Sequence, residues 1–458
     1  MDQVCEPRFH ARSAPALFGW TGSGHAPANH ARTAQFICAI LLAFAPPSLA
    51  QEHPSELVLP VFTFTSGPAA AYGMPGRNAA ALMIDQINQK GGIGGVKVRG
   101  VFVDEAQGGA GVVSEYRRLA GDRNVQVMVA ALSSANCLSL APVAEELRAP
   151  MLAWNCDTHQ LFLNDRYKYV YRSNSSTIPE FLAYVLYLLE KKPEFKRVAI
   201  INPDYAFGRD AAEIVKAALQ SFKPDAEVVL ELFPKLGTPN FQTEISRLVA
   251  ARPEVIFSNL WGADLENFTR QALPRGLFRQ SQMVLALGET LLQRVEIPDG
   301  VIIGVLGDGW WRTPTALGDQ RTQDFVKAYR ERYKEYPIFP GFKMANSILT
   351  LQAAYEKLLK KNSNRWPTRD EVAGAFAGIE VKTYTGMLKI RPDNDGLVDQ
   401  VVGVSQKATE GAPYAVMGEM VRYPAARVTP PPRVDPLEWI GKLKPEFLKE
   451  LPKPGSYK

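Results

Sequence analysis

The chain has 458 residues, too many for one ordinary core, so two or more domains are expected. With 46% apolar and 22% charged residues it reads as globular rather than disordered. A net charge of +5, with no Lys/Arg run interleaved with aromatics, gives no reason to expect nucleic acid.

The first recognisable element is a short apolar run at 36–45 (FICAILLAFA), preceded by Arg32 and followed by Pro46-Pro47-Ser48-Leu49-Ala50. A basic flank, a short apolar core and small residues at Ser48 and Ala50 have the layout of a secretory signal cut after Ala50. The run is too short to span a membrane, which takes about 20 residues. More than thirty residues precede it, so either translation starts downstream of Met1 or the leader is unusual. Cleavage would remove Asp2, Glu6, Arg8, Arg12 and Arg32, leaving a mature net charge of +4. It would also remove Cys5, Cys38, His10, His25 and His30. Cys137 and Cys156 then remain, as a disulfide or as two buried thiols. Only His53, near the new terminus, and His159 then remain, so Ser-His-Asp catalysis or a multi-histidine metal site would rest on His159 almost alone, which counts against hydrolase and zinc readings; no cofactor is expected.

Beyond the leader, strands and helices alternate. A strand at 57–62 precedes a helix at 79–90, where Ala80, Met83, Ile84 and Ile87 share a face and Gly91-Gly92 supplies the stop. A strand at 96–103 and a helix at 112–120 follow, then an apolar strand at 125–132 and a helix at 136–148. Strands at 150–154 and 168–171 end this block. The pattern restarts with strands at 197–202, 227–233, 254–259 and 283–287, separated by helices near 209–221, 241–251 and 264–276. A helical stretch covers 320–360, and the tail from Pro424 is proline-rich and expected to be extended. Continuous apolar strands alternating with helices signal parallel sheets covered on both faces, here in two tandem α/β units. The glycines of Gly91–Gly95 do not form a nucleotide loop, because they follow a helix and precede a strand.

Residues 66–95 resemble the leucine/isoleucine/valine-binding family of ABC-transporter solute receptors. The matching features are Gly67-Pro68, Tyr72-Gly73 and a helix ending in Ile87-Asn88 before Gly91-Gly92-Ile93-x-Gly95. Val103-Asp104-Glu105, Leu132-Ser133-Ser134, Val198–Asp204 with Phe207-Gly208, and Gly276-Leu277 follow in family order. The resemblance spans about 57–410 and implies a type I periplasmic-binding-protein fold, with two Rossmann-like lobes joined by three crossovers. It implies a first lobe from 51–175 and 306–385, a second from 176–305 and 386–423, and a tail at 424–458. It also implies a non-catalytic, periplasmic receptor for a small organic ligand, partnered by an ABC-transporter permease. The family's usual disulfide positions correspond here to Gln107 and Leu132, so that bridge is absent; Cys137 and Cys156 lie just beyond two strands that the resemblance makes neighbours in the first lobe, which makes them the candidates for a substitute bridge.

Ligands of open parallel sheets bind beyond the strand carboxyl ends. The candidates there are Tyr72, Ser133, Ser134, Trp154, Asn155 and Asp157 in the first lobe, and Tyr205, Phe207, Trp261 and Glu289 in the second. Ser133 matches the family serine that binds a ligand carboxylate, with N–H groups at a helix N-terminus alongside. Asp157 and Glu289 are candidate partners for a ligand ammonium. A ligand without N–H donors would leave both carboxylates unpaired, which favours an amino-acid-like ligand. The alternatives are a receptor for aromatic acids, amides or urea-like solutes, or a ligand sensor of the same fold.

Overall fold

In the computed structural model, which describes residues 53–458 apart from 165 and 410, the run at 57–62 becomes the core of the first sheet. Strand β1 (Glu56–Thr63) is buried from its second residue onward and pairs in parallel with β2 (Lys97–Asp104) along its whole length. With β3 (Met128–Val129), β4 (Met151–Ala153) and β5 (Val170–Arg172) it forms an all-parallel sheet of order β2-β1-β3-β4-β5. The leader read at 1–50 lies outside the described residues.

Several sequence boundaries need correction. The ladder of β3 covers only two residues of the apolar run at 125–132, and Ala130–Leu132 carry on beyond it towards the helix Ser134–Glu146. The helix placed at 79–90 is Ala70–Gln89, whose glycine- and proline-containing first turns hide its start. The stretch at 320–360 is two helices, Gln320–Tyr333 and Phe339–Lys361. Lys334 ends the first in the left-handed conformation, and Pro340 enters the first turn of the second, where its missing N–H costs nothing.

The second sheet takes β6 (Arg197–Ile201), β7 (Glu227–Leu232), β8 (Val255–Ser258), β9 (Gln282–Leu285) and β10 (Ile302–Gly304), all parallel. A small antiparallel sheet of β11 (Glu380–Lys382), β12 (Met387–Ile390) and β13 (Gly396–Leu397) intervenes. Then β14 (Gln400–Gln406) and β15 (Val416–Tyr423) add antiparallel strands, giving the order β15-β14-β10-β9-β8-β6-β7. The return to the second sheet therefore begins at Gln400 rather than at 386, because β12 pairs with β11 instead. The two sheets are the cores of two Rossmann-like lobes. The chain crosses between them after β5, between β10 and Phe339, and between β13 and β14.

The proline-rich tail is not extended throughout. Its helix Pro436–Lys442 and the turn Pro445–Glu450 lie on the second-lobe helix Ala206–Phe222, where Ser221 donates to the Ile440 carbonyl at 2.8 Å. Phe447 stacks on Phe222 with ring centres 6.3 Å apart.

Two crossovers are tied together by Arg172, whose side chain is fully buried. Its guanidinium meets Asp395 at 2.6 Å and donates to the carbonyls of Cys156 and Thr158, each at 2.7 Å. The Arg172 N–H donates to the Asn394 carbonyl at 3.0 Å. Removing one member of a buried pair costs about 3–5 kcal/mol. Arg391, 3.6 Å from Asp395, would retain part of the compensation. Arg172→Met is therefore expected to lose about 3 kcal/mol, read as a lowered denaturation midpoint in urea; an unchanged midpoint would show that the clamp is dispensable.

Candidate functional site

Glycines bring the aromatic side chains to the strand ends. A Cβ on Gly73 would lie 1.9 Å from the Phe64 carbonyl oxygen, so only glycine lets the first turn of Ala70–Gln89 sit on the end of β1. That contact directs Tyr72 into the cleft. The second lobe repeats the device, since a Cβ on Gly208 would lie 1.9 Å from the Pro203 carbonyl oxygen, beside Tyr205 and Phe207. Trp261 stands just before the helix Gly262–Ala272. Tyr72 of the first lobe meets Trp261 of the second edge-on at 5.3 Å and Phe339 at the same separation. The lobes thus touch across the cleft.

Tyr72, Leu132, Ser134, Asn155, Asp157, Tyr205, Phe207, Trp261, Leu287, Leu306 and Phe339 line a cavity of about 20 Å³, room for roughly one water molecule. An organic solute can enter only when the lobes part. Seven of the ten candidates from the sequence are in this wall. Of its remaining residues, Phe339 had a local signal in Pro337-Ile338-Phe339-Pro340-Gly341, which marks a chain break and a new helix start at 339.

Ser133, Trp154 and Glu289 lie elsewhere. The Ser133 hydroxyl caps its helix, accepting from the N–H groups of Ala135 and Asn136, and the residue facing the cavity is Ser134. The Ser134 N–H is the first of that helix and meets no acceptor among the described residues. Trp154 lies beneath the wall, its indole N–H donating to the Phe62 carbonyl at 2.9 Å and its ring packing over Gly76. Glu289 is buried near Tyr72 and Phe339, and its Oε2 accepts from the Phe339 N–H at 3.3 Å.

Several buried polar atoms here have no well-aligned hydrogen-bond partner among the described residues: the Tyr72 hydroxyl, Asn155 Oδ1, Trp261 Nε1 and Glu289 Oε1, with Thr290 beside Tyr72 and Tyr205 beside Trp261. Buried polar groups are normally satisfied, so a cluster of exceptions around one cavity points to a ligand.

Asp157 already has partners. Its Oδ1 accepts from the buried ammonium of Lys343 at 2.8 Å, and its Oδ2 from Asn155 Nδ2 at 3.1 Å. Lys343 also reaches Glu180 at 3.3 Å. The sequence argument that a ligand without N–H donors would strand Asp157 is therefore corrected: the chain supplies the ammonium itself. Burial raises the Glu180 pKa, with Asp157 adding to the rise and Lys343 opposing it. Burial also works against the charge on Lys343, but Asp157 and Glu180 outweigh it and leave that pKa raised. A further carboxylate, Glu105, accepts from the N–H groups of Leu132 and Ser133 and from Asn136, with burial raising its pKa to about 7. His159 packs against Thr177 and Asp210, its pKa lowered mainly by burial.

Cys137 and Cys156 are bonded to one another, with Cα atoms 5.9 Å apart. The bond ties the loop carrying Asn155 and Asp157 to the helix that begins at Ser134. Among the described residues, no group of three or more His, Cys, Asp or Glu could hold a metal ion, and no helix is long and apolar enough to cross a membrane.

Two α/β lobes closing on such a cleft define a two-lobed solute-binding protein of type I architecture. The chain belongs to the periplasmic binding protein family, whose profile matches residues 56–411. Leu/Ile/Val-binding protein homolog 7 of Brucella abortus (strain 2308) is 26% identical over 302 residues, covering 62% of this chain and 72% of that protein. Among solved structures, an ABC-transporter solute-binding protein from Rhodopseudomonas palustris BisB5, in complex with 3,4-dihydroxy benzoic acid, superposes with a TM-score of 0.70 at 19% identity. The match covers 83% of this chain and 100% of that one. The leucine-, isoleucine-, valine-, threonine- and alanine-binding protein from Brucella ovis, in its closed conformation, gives 0.67 at 18% identity, covering 83% and 98%. Each of these relatives is described as a binding protein.

Two outcomes are expected. Burial raises the Glu289 pKa to about 8, whereas an unfolded glutamate titrates near 4.3. The folded protein thus holds a proton that the unfolded chain releases. This contribution is complete below about pH 4.3 and is lost as pH rises through about 8. Between pH 5.5 and 8, Glu289→Gln should lose less stability than the wild type by about 3 kcal/mol, measured by urea denaturation at each pH; parallel profiles would contradict the assignment. Reducing the Cys137–Cys156 bond opens a loop with a sequence separation of 19 and should cost about 3 kcal/mol, seen as a lower melting temperature in dithiothreitol.

Proposed function

We propose that this chain is the extracytoplasmic receptor of an ABC uptake system, and that it captures a small organic carboxylate with a flat apolar body by closing its lobes on it. The observation that carries the reading is the cleft itself. Tyr72, Tyr205, Phe207, Trp261 and Phe339 surround a space edged by unpartnered polar tips and by the free first N–H of the helix Ser134–Glu146. Rings favour a flat apolar body, with a quadrupole that rewards edge and stacked contacts. A helix N-terminus with an unpaired first N–H favours a carboxylate, and the Ser134 hydroxyl, which accepts the Thr158 N–H at 3.2 Å, keeps its proton to donate. The Tyr72 hydroxyl, Trp261 Nε1 and Asn155 Oδ1 then offer both donors and acceptors to polar substituents on the ligand.

Closure follows from the same geometry. The ligand first docks on one lobe, and contacts from the other stabilise the shut form. A membrane permease would read that shut form. Export would depend on the leader, with cleavage after Ala50, and N-terminal sequencing of the protein recovered from the periplasm should begin at Gln51.

A thermal-shift screen tests the ligand class. Benzoate, hydroxybenzoates, 3-phenylpropanoate, aliphatic and aromatic amino acids, short amides and urea form the panel. A ligand at 100 times its Kd should add about 2.7 kcal/mol of stability. Organic acids are expected to raise the melting temperature, and Trp261→Ala to weaken the binding about tenfold. A response to urea or amides alone would overturn the carboxylate reading.

A further inference from the structure

We infer that Lys343 decides which charge the cleft admits: its ammonium occupies, from inside the protein, the place beside Asp157 that a ligand's ammonium would take, so carboxylates without an amino group are selected over amino acids of the same shape. This rests on the carboxylate reading above and adds to it the residue that sets specificity.

Among the described residues that line the cavity, Asp157 is the only acidic one. Both of its oxygens are engaged, Oδ1 by Lys343 and Oδ2 by Asn155, and its main-chain carbonyl accepts the Thr177 N–H at 2.6 Å. The side chains of Asp157, Lys343 and Glu180 are 2%, 4% and 0% exposed, so solvent screens the trio little. Burial and the neighbouring Asp157 push Glu180 towards its neutral form, while the Lys343 ammonium lies 2.8 Å from Asp157 and 3.3 Å from Glu180. A ligand ammonium brought to Asp157 would meet Lys343 on the same carboxylate. It would suffer like-charge repulsion in a dry site and would have to displace an existing ion pair. Glu289 offers no substitute. It is absent from the wall and holds its proton at neutral pH, so it lends no countercharge. The lysine thus acts as an internal repulsive element against one class of ligand.

Without the lysine the logic reverses. Asp157 would be a buried carboxylate in need of a cation, and the ammonium of an amino acid would be its natural partner. Lys343 comes from the helix Phe339–Lys361, 186 residues from Asp157 along the chain.

The test compares 3-phenylpropanoate with phenylalanine, which differ by the α-ammonium alone. Isothermal titration is run on the wild type, Lys343→Met and Asp157→Asn, with circular dichroism to verify folding. The wild type is expected to prefer 3-phenylpropanoate by about tenfold or more. Lys343→Met should move that ratio towards phenylalanine by at least about tenfold. Asp157→Asn, which keeps the side-chain shape should the lysine variant not fold, should leave the preference for 3-phenylpropanoate intact or enlarge it. A wild type that prefers phenylalanine and loses it in Asp157→Asn would overturn the inference, as would a ratio unchanged in folded Lys343→Met. If the wild type binds neither compound but Lys343→Met gains phenylalanine, the carboxylate reading fails and the role of the lysine stands. No binding by any of the three proteins overturns both.

Discussion

A single buried guanidinium sets the frame in which the cleft works. Arg172 ends β5, where the chain first leaves the first lobe, and its partner Asp395 lies just ahead of the third crossing. The same side chain holds the carbonyls of Cys156 and Thr158, on either side of Asp157. Planar, always charged and able to donate in several directions, arginine is suited to such a junction as lysine would not be. The hinge and one wall of the cavity therefore share an anchor. The loop from Cys156 to Thr158 is thereby fixed to the same residue that ties the crossovers together.

Around that anchor the cleft combines high burial with low net charge. Glu105, Glu180 and Glu289 are carboxyls whose pKa values burial raises, and Asp157 is neutralised by a lysine. Such a site recognises its ligand by shape, aromatic contact and a few hydrogen bonds rather than by long-range field. The interlobe contacts follow the same pattern. Asp210 of the second lobe accepts from Thr158 and Gln160 of the first, at 2.5 and 2.6 Å, so the closed seam is fastened by hydrogen bonds at its rim as well as by rings within.

The fold was legible in the sequence because its cues are local. Apolar strands such as 57–62 and the helical face of Met83, Ile84 and Ile87 declare their own periodicity, and Tyr72-Gly73 and Phe207-Gly208 mark places where backbone must touch backbone. Boundaries slipped where local cues compete with tertiary demands, as in the glycine- and proline-containing start of Ala70–Gln89. Much of the cavity wall was also readable, since it sits where parallel strands end. The charge state of the wall was not. It depends on a lysine far along the chain, whose one local trace is a cation among Phe342, Met344 and other buried residues of its helix. Ser133 and Ser134 illustrate a finer limit: neighbours in sequence and alike in chemistry, they are told apart only by which hydroxyl the helix end claims.

The C-terminal tail has a consequence for assembly. By laying the segment from Pro436 to Glu450 along Ala206–Phe222, the chain permanently upholsters one flank of the second lobe. That flank is covered for as long as the tail stays in place. Gly455 and Tyr457 donate to the Glu419 and Met420 carbonyls of β15 at 3.0 and 3.1 Å, so the tail is built into the second lobe as an added edge rather than trailing from it.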